Sequence, residues 1–222
     1  MKISILTLFP NLFNEFLSTS IIKRAIENNK VEIEIIDFRE YSKDPHKKVD
    51  DTPYGGGAGM VLQCQPIFDC VEDIKTPESK VILLTPSGIP YKQSVAYDLS
   101  KEKHLIIICG HYEGFDDRIE SLADYIISIG DYVLTGGEIP AMVLADSITR
   151  LIPGVITEDS HIEDSFNENN LLDYPTYTKP ADYKGMKVPD VLISGDHKKI
   201  NEWRKNESIK RTQERRPDLL NK

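Results

Sequence analysis

No stretch of about 18 uninterrupted apolar residues occurs, so nothing reads as a transmembrane helix. Cysteine is scarce: Cys64, Cys70 and Cys109 are odd in number and form no Cys-x-x-Cys pair. That excludes a disulfide framework and fits a reduced cytoplasm. No Cys/His spacing matches a zinc site, so no metal ligand is assigned. Gly55-Gly56-Gly57-Ala58-Gly59-Met60 is glycine-rich, but it lacks the Lys-Ser/Thr that would hold phosphate and magnesium in a phosphate loop. No Gly-x-Gly-x-x-Gly follows the first apolar run, which disfavours a nicotinamide enzyme, and no Gly-x-Ser-x-Gly elbow is present. Repeats and low-complexity tracts are absent.

Positive charge is also missing where it might be expected. Thr157 to Asp173 holds six acids and no Lys or Arg, and reads as a mobile acidic linker. The chain of 222 residues carries a net charge of −9. From Lys179 to Lys222, 12 Lys and Arg stand against 7 Asp and Glu, a local +5, so the first 178 residues carry −14. A basic C-terminal part on an acidic body reads either as a polyanion-binding appendage or as a solvated helical face. It carries the single tryptophan, Trp203, and Gly195 to Arg216 reads as two short helices with a break.

What is present is a strand–helix rhythm. The start, Met1 to Pro10, has a signal-like apolar run but no small-residue cleavage site, so residues 3–9 read as a core strand. Asn11 to Asn29 follows as helix, Val31 to Phe38 as strand, Arg39 to Ala58 as polar loop and Pro66 to Lys75 as helix. Three near-continuous apolar strands come next, Val81–Thr85, Leu105–Cys109 and Tyr125–Ile129. Each is followed by a glycine-bearing turn and a helix, over Lys92–Lys101, Asp116–Ala123 and Glu138–Leu151, the first turn being Pro86 to Pro90. Such runs imply an α/β fold, a parallel sheet with helices on both faces, whose ligands sit at the carboxyl ends of the strands. The pattern predicts one glycine-lined pocket. Its centre is Ile129 to Gly137, where the Gly136-Gly137 pair lets a ligand lie against bare peptide. An ordinary strand-to-helix turn gives the same pattern. With no lysine for phosphate, a nucleoside-like ligand read by main-chain groups fits best. The expected domains are residues 1–156, the linker 157–173 and a small helical domain 174–222. Two polar residues could do chemistry beside the pocket, Arg150 and Asp164, although by pattern alone Arg150 reads first as a favourable charge at a helix C-terminus and Asp164 as a solvated linker acid.

Seven motifs, in order, resemble those of the bacterial tRNA (guanine-37-N1)-methyltransferases, in the SPOUT class. They are residues 7–10 (Thr7-Leu8-Phe9-Pro10), 49–60, 110–114, 129–138, 150–154, 163–166 and 215–220. The resemblance covers essentially the whole chain. It implies a trefoil knot in the sheet domain, a homodimer with active sites between subunits, S-adenosylmethionine as methyl donor, tRNA as substrate and magnesium assistance. The donor pocket it implies takes Pro86, Gly110, Tyr112, Glu113, Ile129, Gly130, Asp131, Tyr132, Val133, Leu134, Gly136 and Gly137. Asp164 falls on the general base and Arg150 on the arginine facing the guanine, while Asp50, Gly59 and Asp173 fall on tRNA-side elements. His111 stands where many members carry arginine. The rival readings are a SPOUT methyltransferase acting on another RNA nucleotide and a catalytically silent RNA-binding protein.

Overall fold

The computed structural model describes residues 1–157, 164–166 and 170–220, and divides into two compact units, Met1–Ile156 and Thr157–Lys222. The first unit is built on a five-stranded sheet. Its strands are β1 (Lys2–Thr7), β2 (Glu32–Asp37), β5 (Ser79–Pro90), β6 (His104–Ile108) and β7 (Tyr125–Ser128). They lie in the order β2-β1-β6-β5-β7, and every neighbouring pair is parallel. A two-residue antiparallel pair, β3 (Asp50–Asp51) with β4 (Val61–Leu62), stands apart.

Side chains alternate across each strand, so two cores form. On one face Ile3, Ile5, Ile82, Leu105 and Ile107 pack with residues of α2 (Ser20–Glu27), α4 (Gln93–Leu99) and α5 (Glu138–Thr149). On the other, Leu6, Val81, Leu83, Ile106 and Ile108 pack with Ile67 and Val71 of α3 (Cys64–Ile74). Both faces are therefore covered, as the uninterrupted apolar strands require. At the amino ends of the strands, buried His104 is held through both ring nitrogens, with Ser4 Oγ at 3.0 Å and Ser79 Oγ at 2.7 Å. Burial is the main cause that lowers its pKa from 6.5.

Several local expectations are corrected. The helix over Asn11–Asn29 is broken into a 3₁₀ turn (Pro10–Phe13), α1 (Asn14–Ser18) and α2. The break falls at Thr19–Ser20, where the Thr19 hydroxyl bonds back to the Glu15 carbonyl and Ser20 takes φ +51°. Asp116–Ala123 forms a tight 3₁₀ helix, Asp117–Leu122, whose Arg118 N–H donates to the Asp116 carboxylate. The polar loop from Arg39 contains a 3₁₀ turn (Phe38–Tyr41) and β3. Pro86–Pro90 is extended rather than a free turn. β5 leaves β7 after Leu84 and rejoins it at Ile89, so that both residues pair with Ile127.

In the second unit, β8 (Asp182–Tyr183) and β9 (Met186–Lys187) form a hairpin. Lys184 and Gly185 take φ +54° and +83° at its tip, as a two-residue hairpin turn demands. The short α6 (Asp190–Ile193) precedes α7, a single 19-residue helix (His197–Arg215) where two short helices were expected. Asp196 caps it, accepting from the Lys199 N–H, and no residue within it breaks the turn pattern. Among the described residues no helix is long and apolar enough to cross a membrane.

Candidate functional site

The irregular stretch of β5 after Leu84 and the loops that follow β6 and β7 close around one cleft of about 360 Å³. Leu84 to Pro86 come from β5, Gly110 to Asp116 from the chain after β6, and Ser128 to Gly130 with Tyr132 to Gly137 from the end of β7 and the chain after it. The volume lies in the range of small-molecule sites. Eleven of the twelve residues expected at a donor pocket line it: Pro86, Gly110, Tyr112, Glu113, Ile129, Gly130, Tyr132, Val133, Leu134, Gly136 and Gly137. Asp131 is exposed and lies outside the lining.

Backbone, not side chain, shapes the floor. The Gly137 N–H donates to the Gly110 carbonyl at 2.8 Å. A Cβ on Gly137 would lie 2.6 Å from the Gly110 nitrogen, a collision with main chain that no rotamer relieves. At Gly110 a Cβ would meet the Phe115 ring at 2.9 Å. At both positions the missing side chain lets the loops around the cleft pack closely on one another. Tyr112, at φ +58°, holds a backbone conformation that costs about 1–3 kcal/mol outside glycine and clusters at ligand sites.

The loop expected on the tRNA side belongs to the same unit. Asp50 pairs with Leu62, and Gly59, at φ +78°, lies so close to Glu113 that a Cβ would sit 2.5 Å from its Cγ. The Glu113 N–H donates to the Met60 carbonyl at 3.0 Å. Arg150 follows the last turn of α5, its N–H donating to the Asp146 carbonyl at 3.1 Å.

Asp164 and Asp173 belong to the second unit. Residues 158–163 and 167–169 of the expected acidic linker, Glu163 among them, lie outside the described residues. Asp164 is half-buried, and two positions on stands Phe166, whose ring lies 5.8 Å from the Arg216 guanidinium. Asp173 accepts on its carbonyl from Arg211 at 3.2 Å and donates its N–H to Ser165 at 2.9 Å. Leu172 donates its N–H to Thr212 at 2.9 Å. Its aromatic residues are paired as well: Tyr177 with Trp203 at 6.4 Å, and Tyr174 with the Arg204 guanidinium at 4.8 Å.

Electrostatics at the cleft are acidic. The Arg118 guanidinium, bonded to Asp116 at 2.7 and 2.8 Å, holds that carboxyl far below its usual range. Burial first, and the charge of Glu138 second, push the Cys109 thiol well above its ordinary value, so Cys109 is an inert core residue. Among the described residues no group of three or more His, Cys, Asp or Glu could hold a metal ion.

Sequence reasoning missed Thr7 and Glu138. They meet in a buried hydrogen bond of 2.8 Å although 131 positions separate them. Both lie in motifs of the resemblance, 7–10 and 129–138, but nothing in either pairs one residue with the other.

Fold and cleft define an α/β protein with a cleft of small-ligand size on glycine-bearing loops at the carboxyl ends of a parallel sheet. The chain belongs to the tRNA (Guanine-1)-methyltransferase TrmD family, matching it over residues 1–222. It is 61% identical to a tRNA (guanine-N(1)-)-methyltransferase of Malacoplasma penetrans, over 99% of this chain and 97% of that one. It is 59% and 57% identical to proteins of the same name from Bacillus pumilus and Bacillus subtilis, over 99% of this chain and 92% of each.

Proposed function

We propose that this protein transfers a methyl group from S-adenosylmethionine to N1 of guanosine 37 in tRNA. The observation that carries the reading is the glycine-lined cleft between the middle of β5 and the loops after β6 and β7, in a chain that belongs to this family throughout.

The chemistry follows from the residues assigned. Guanine N1 carries a proton and is a poor nucleophile until it is lost. The Asp164 carboxylate is the acceptor of that proton, a contribution on the order of 10²–10⁴ in rate. Negative charge then develops on O6, and the Arg150 guanidinium stabilises it by a charge-assisted hydrogen bond. Gly110, Gly136 and Gly137, with Tyr112, Ile129 and Leu134, would hold the donor. When bound, S-adenosylmethionine supplies an electrophilic methyl on a positively charged sulfur. An anticodon-loop base can be splayed out for such a reaction, and the basic C-terminal part would hold the phosphates. Magnesium assistance belongs to the proposal through the resemblance alone.

The proposal includes a knotted homodimer. In support of the knot, β5 pairs with Ile127 on both sides of the Thr85–Gly88 excursion, and Gly88 lies against the Ile127 backbone. In support of self-association, Ile139 and Val143 on α5 and Tyr132 and Val133 before it are exposed. In this dimer Arg150 of one subunit works with Asp164 of its partner.

The test is methyl transfer to an unmodified tRNA bearing guanosine 37, with nucleoside identification. N1-methylguanosine at that position is expected. Methylation elsewhere would make it a different RNA methyltransferase, and tRNA binding without transfer a silent RNA-binding protein.

A further inference from the structure

Two features are unused by that reaction: the Thr7-Leu8-Phe9-Pro10 motif, which does not line the cleft, and the buried carboxylate of Glu138. They are joined. Thr7 donates its hydroxyl to Glu138 Oε1 at 2.8 Å, and the Phe9 N–H donates back to Thr7 Oγ1 at 2.9 Å. Glu138 is the first residue of α5, where the helix N-terminus favours negative charge. We propose that Thr7 and Glu138 are positioning residues that set the shape of the donor cleft. The inference rests on the donor reading above.

The link runs through three loops. Glu138 fixes the end of the Gly136-Gly137 turn, which the Gly137–Gly110 hydrogen bond ties to the loop after β6. His111 in that loop pairs as a β-bridge with Gly136. Its Nδ1 is buried and makes no hydrogen bond among the described residues, so packing rather than a polar tether holds the imidazole. It packs on Phe9, with centroids 4.7 Å apart, and on the adjacent Tyr112, at 4.8 Å; Phe9 is the contact that comes from outside its own loop. The Thr7 bond therefore places Phe9, Phe9 places His111, and both His111 and the glycine turn are cleft walls. Removing the hydroxyl also leaves a buried carboxylate oxygen short of its donor, the expensive half of a broken hydrogen bond.

The test combines amide hydrogen exchange on the ligand-free protein with calorimetry using S-adenosylmethionine. In Thr7→Val, exchange at Gly137 and Gly114, whose N–H groups bond to Gly110 and His111, should quicken about tenfold or more, and donor affinity should fall by a similar factor. Amides of α4 should not change. Thr7→Ser, which keeps the hydroxyl, should restore both readouts to within about threefold. Phe9→Ala, a change at a partly exposed ring, should quicken Gly114 without global unfolding. Unchanged exchange and affinity in a folded Thr7→Val would overturn the proposal. Should Thr7→Val not fold, unchanged Gly114 exchange in Phe9→Ala would overturn it. Faster exchange in the variants of a protein that takes no S-adenosylmethionine would sink the donor reading and leave the positioning role standing.

Discussion

From Met1 to Ile156 the chain hides whole strands from water: Leu105, Ile106, Ile107 and Ile108 are all 0% exposed. From Thr157 onward, Thr212 is the one fully buried side chain among the described residues. Burying each apolar side chain stabilises by about 1.5–3 kcal/mol, whereas an internal hydrogen bond contributes roughly 0.5–1.5 kcal/mol. The first unit is thus held by its cores. The second is held by point contacts: Thr212 and Ser208 on Leu172, and Arg211 on Asp173. Rigid backbone suits a small ligand that must be cradled. A polar, basic surface suits a polyanion.

Separating the two units tests this contrast most severely. A chain ending at Ile156 should stay folded and keep S-adenosylmethionine affinity within about threefold, but lose tRNA affinity by about a hundredfold or more. Filter binding and calorimetry would read both. In the full chain, tRNA binding should weaken steeply with salt, and salt-independent binding would count against the basic surface.

The division of labour can be broken at single residues next. Asp164→Asn should leave donor binding nearly intact and lower methyl transfer by about a hundredfold or more, the range of a lost general base. Mixed dimers of Asp164→Asn with Arg150→Ala should regain activity, since one interface keeps both groups intact. Mixed dimers as inactive as both parents would rule out a shared site. On the cradle side, Gly137→Val drives a side chain into the Gly110 backbone. Overpacking of about 1–3 kcal/mol there should weaken the donor by roughly 5–150-fold in calorimetry, with the second unit unaffected.

Two milder changes sharpen the comparison. Thr212→Val removes the acceptor for Leu172 and the donor to Ser208. It should destabilise the second unit by about 1–2 kcal/mol, seen as faster amide exchange at Leu172 and none in the sheet. The first unit offers a pH-dependent readout. The pKa of His104 is lowered in the folded state, so its contribution is fully present above 6.5 and is lost as pH falls through the folded value. Thermal melts should show the first unit weakening below pH 6.5. Replacing His104 with Gln should flatten that slope.

The sheet was largely legible because a strand buried on both faces leaves a run such as Leu105 to Cys109 that polar or one-sided elements do not. The cleft was legible because bare peptide requires glycine, as Gly137 does against Gly110. What escaped depends on distant partners. Pro86 to Pro90 carries turn residues, yet it is extended because β7 offers it a second pairing. The break at Ser20 is a φ +51° residue with no glycine to announce it. In α7, low apolar content obscured the helical period, while the Asp196 cap and an unbroken run of helix-tolerant residues decided the outcome. No local pattern could match Thr7 to Glu138.

That pair has a consequence for how the protein is made. A ribosome adds about 5–20 residues per second, so roughly 7–26 seconds pass between the emergence of Thr7 and that of its acceptor, 131 positions later. β1 lies between β2 and β6, so even its second sheet neighbour is some hundred residues away in synthesis, as the pairing of Lys2 with His104 records. The nascent chain therefore carries an apolar strand edge and an unpaired hydroxyl through most of its translation. The cleft is among the last parts of the first unit to form, closed by the same helix that brings Glu138.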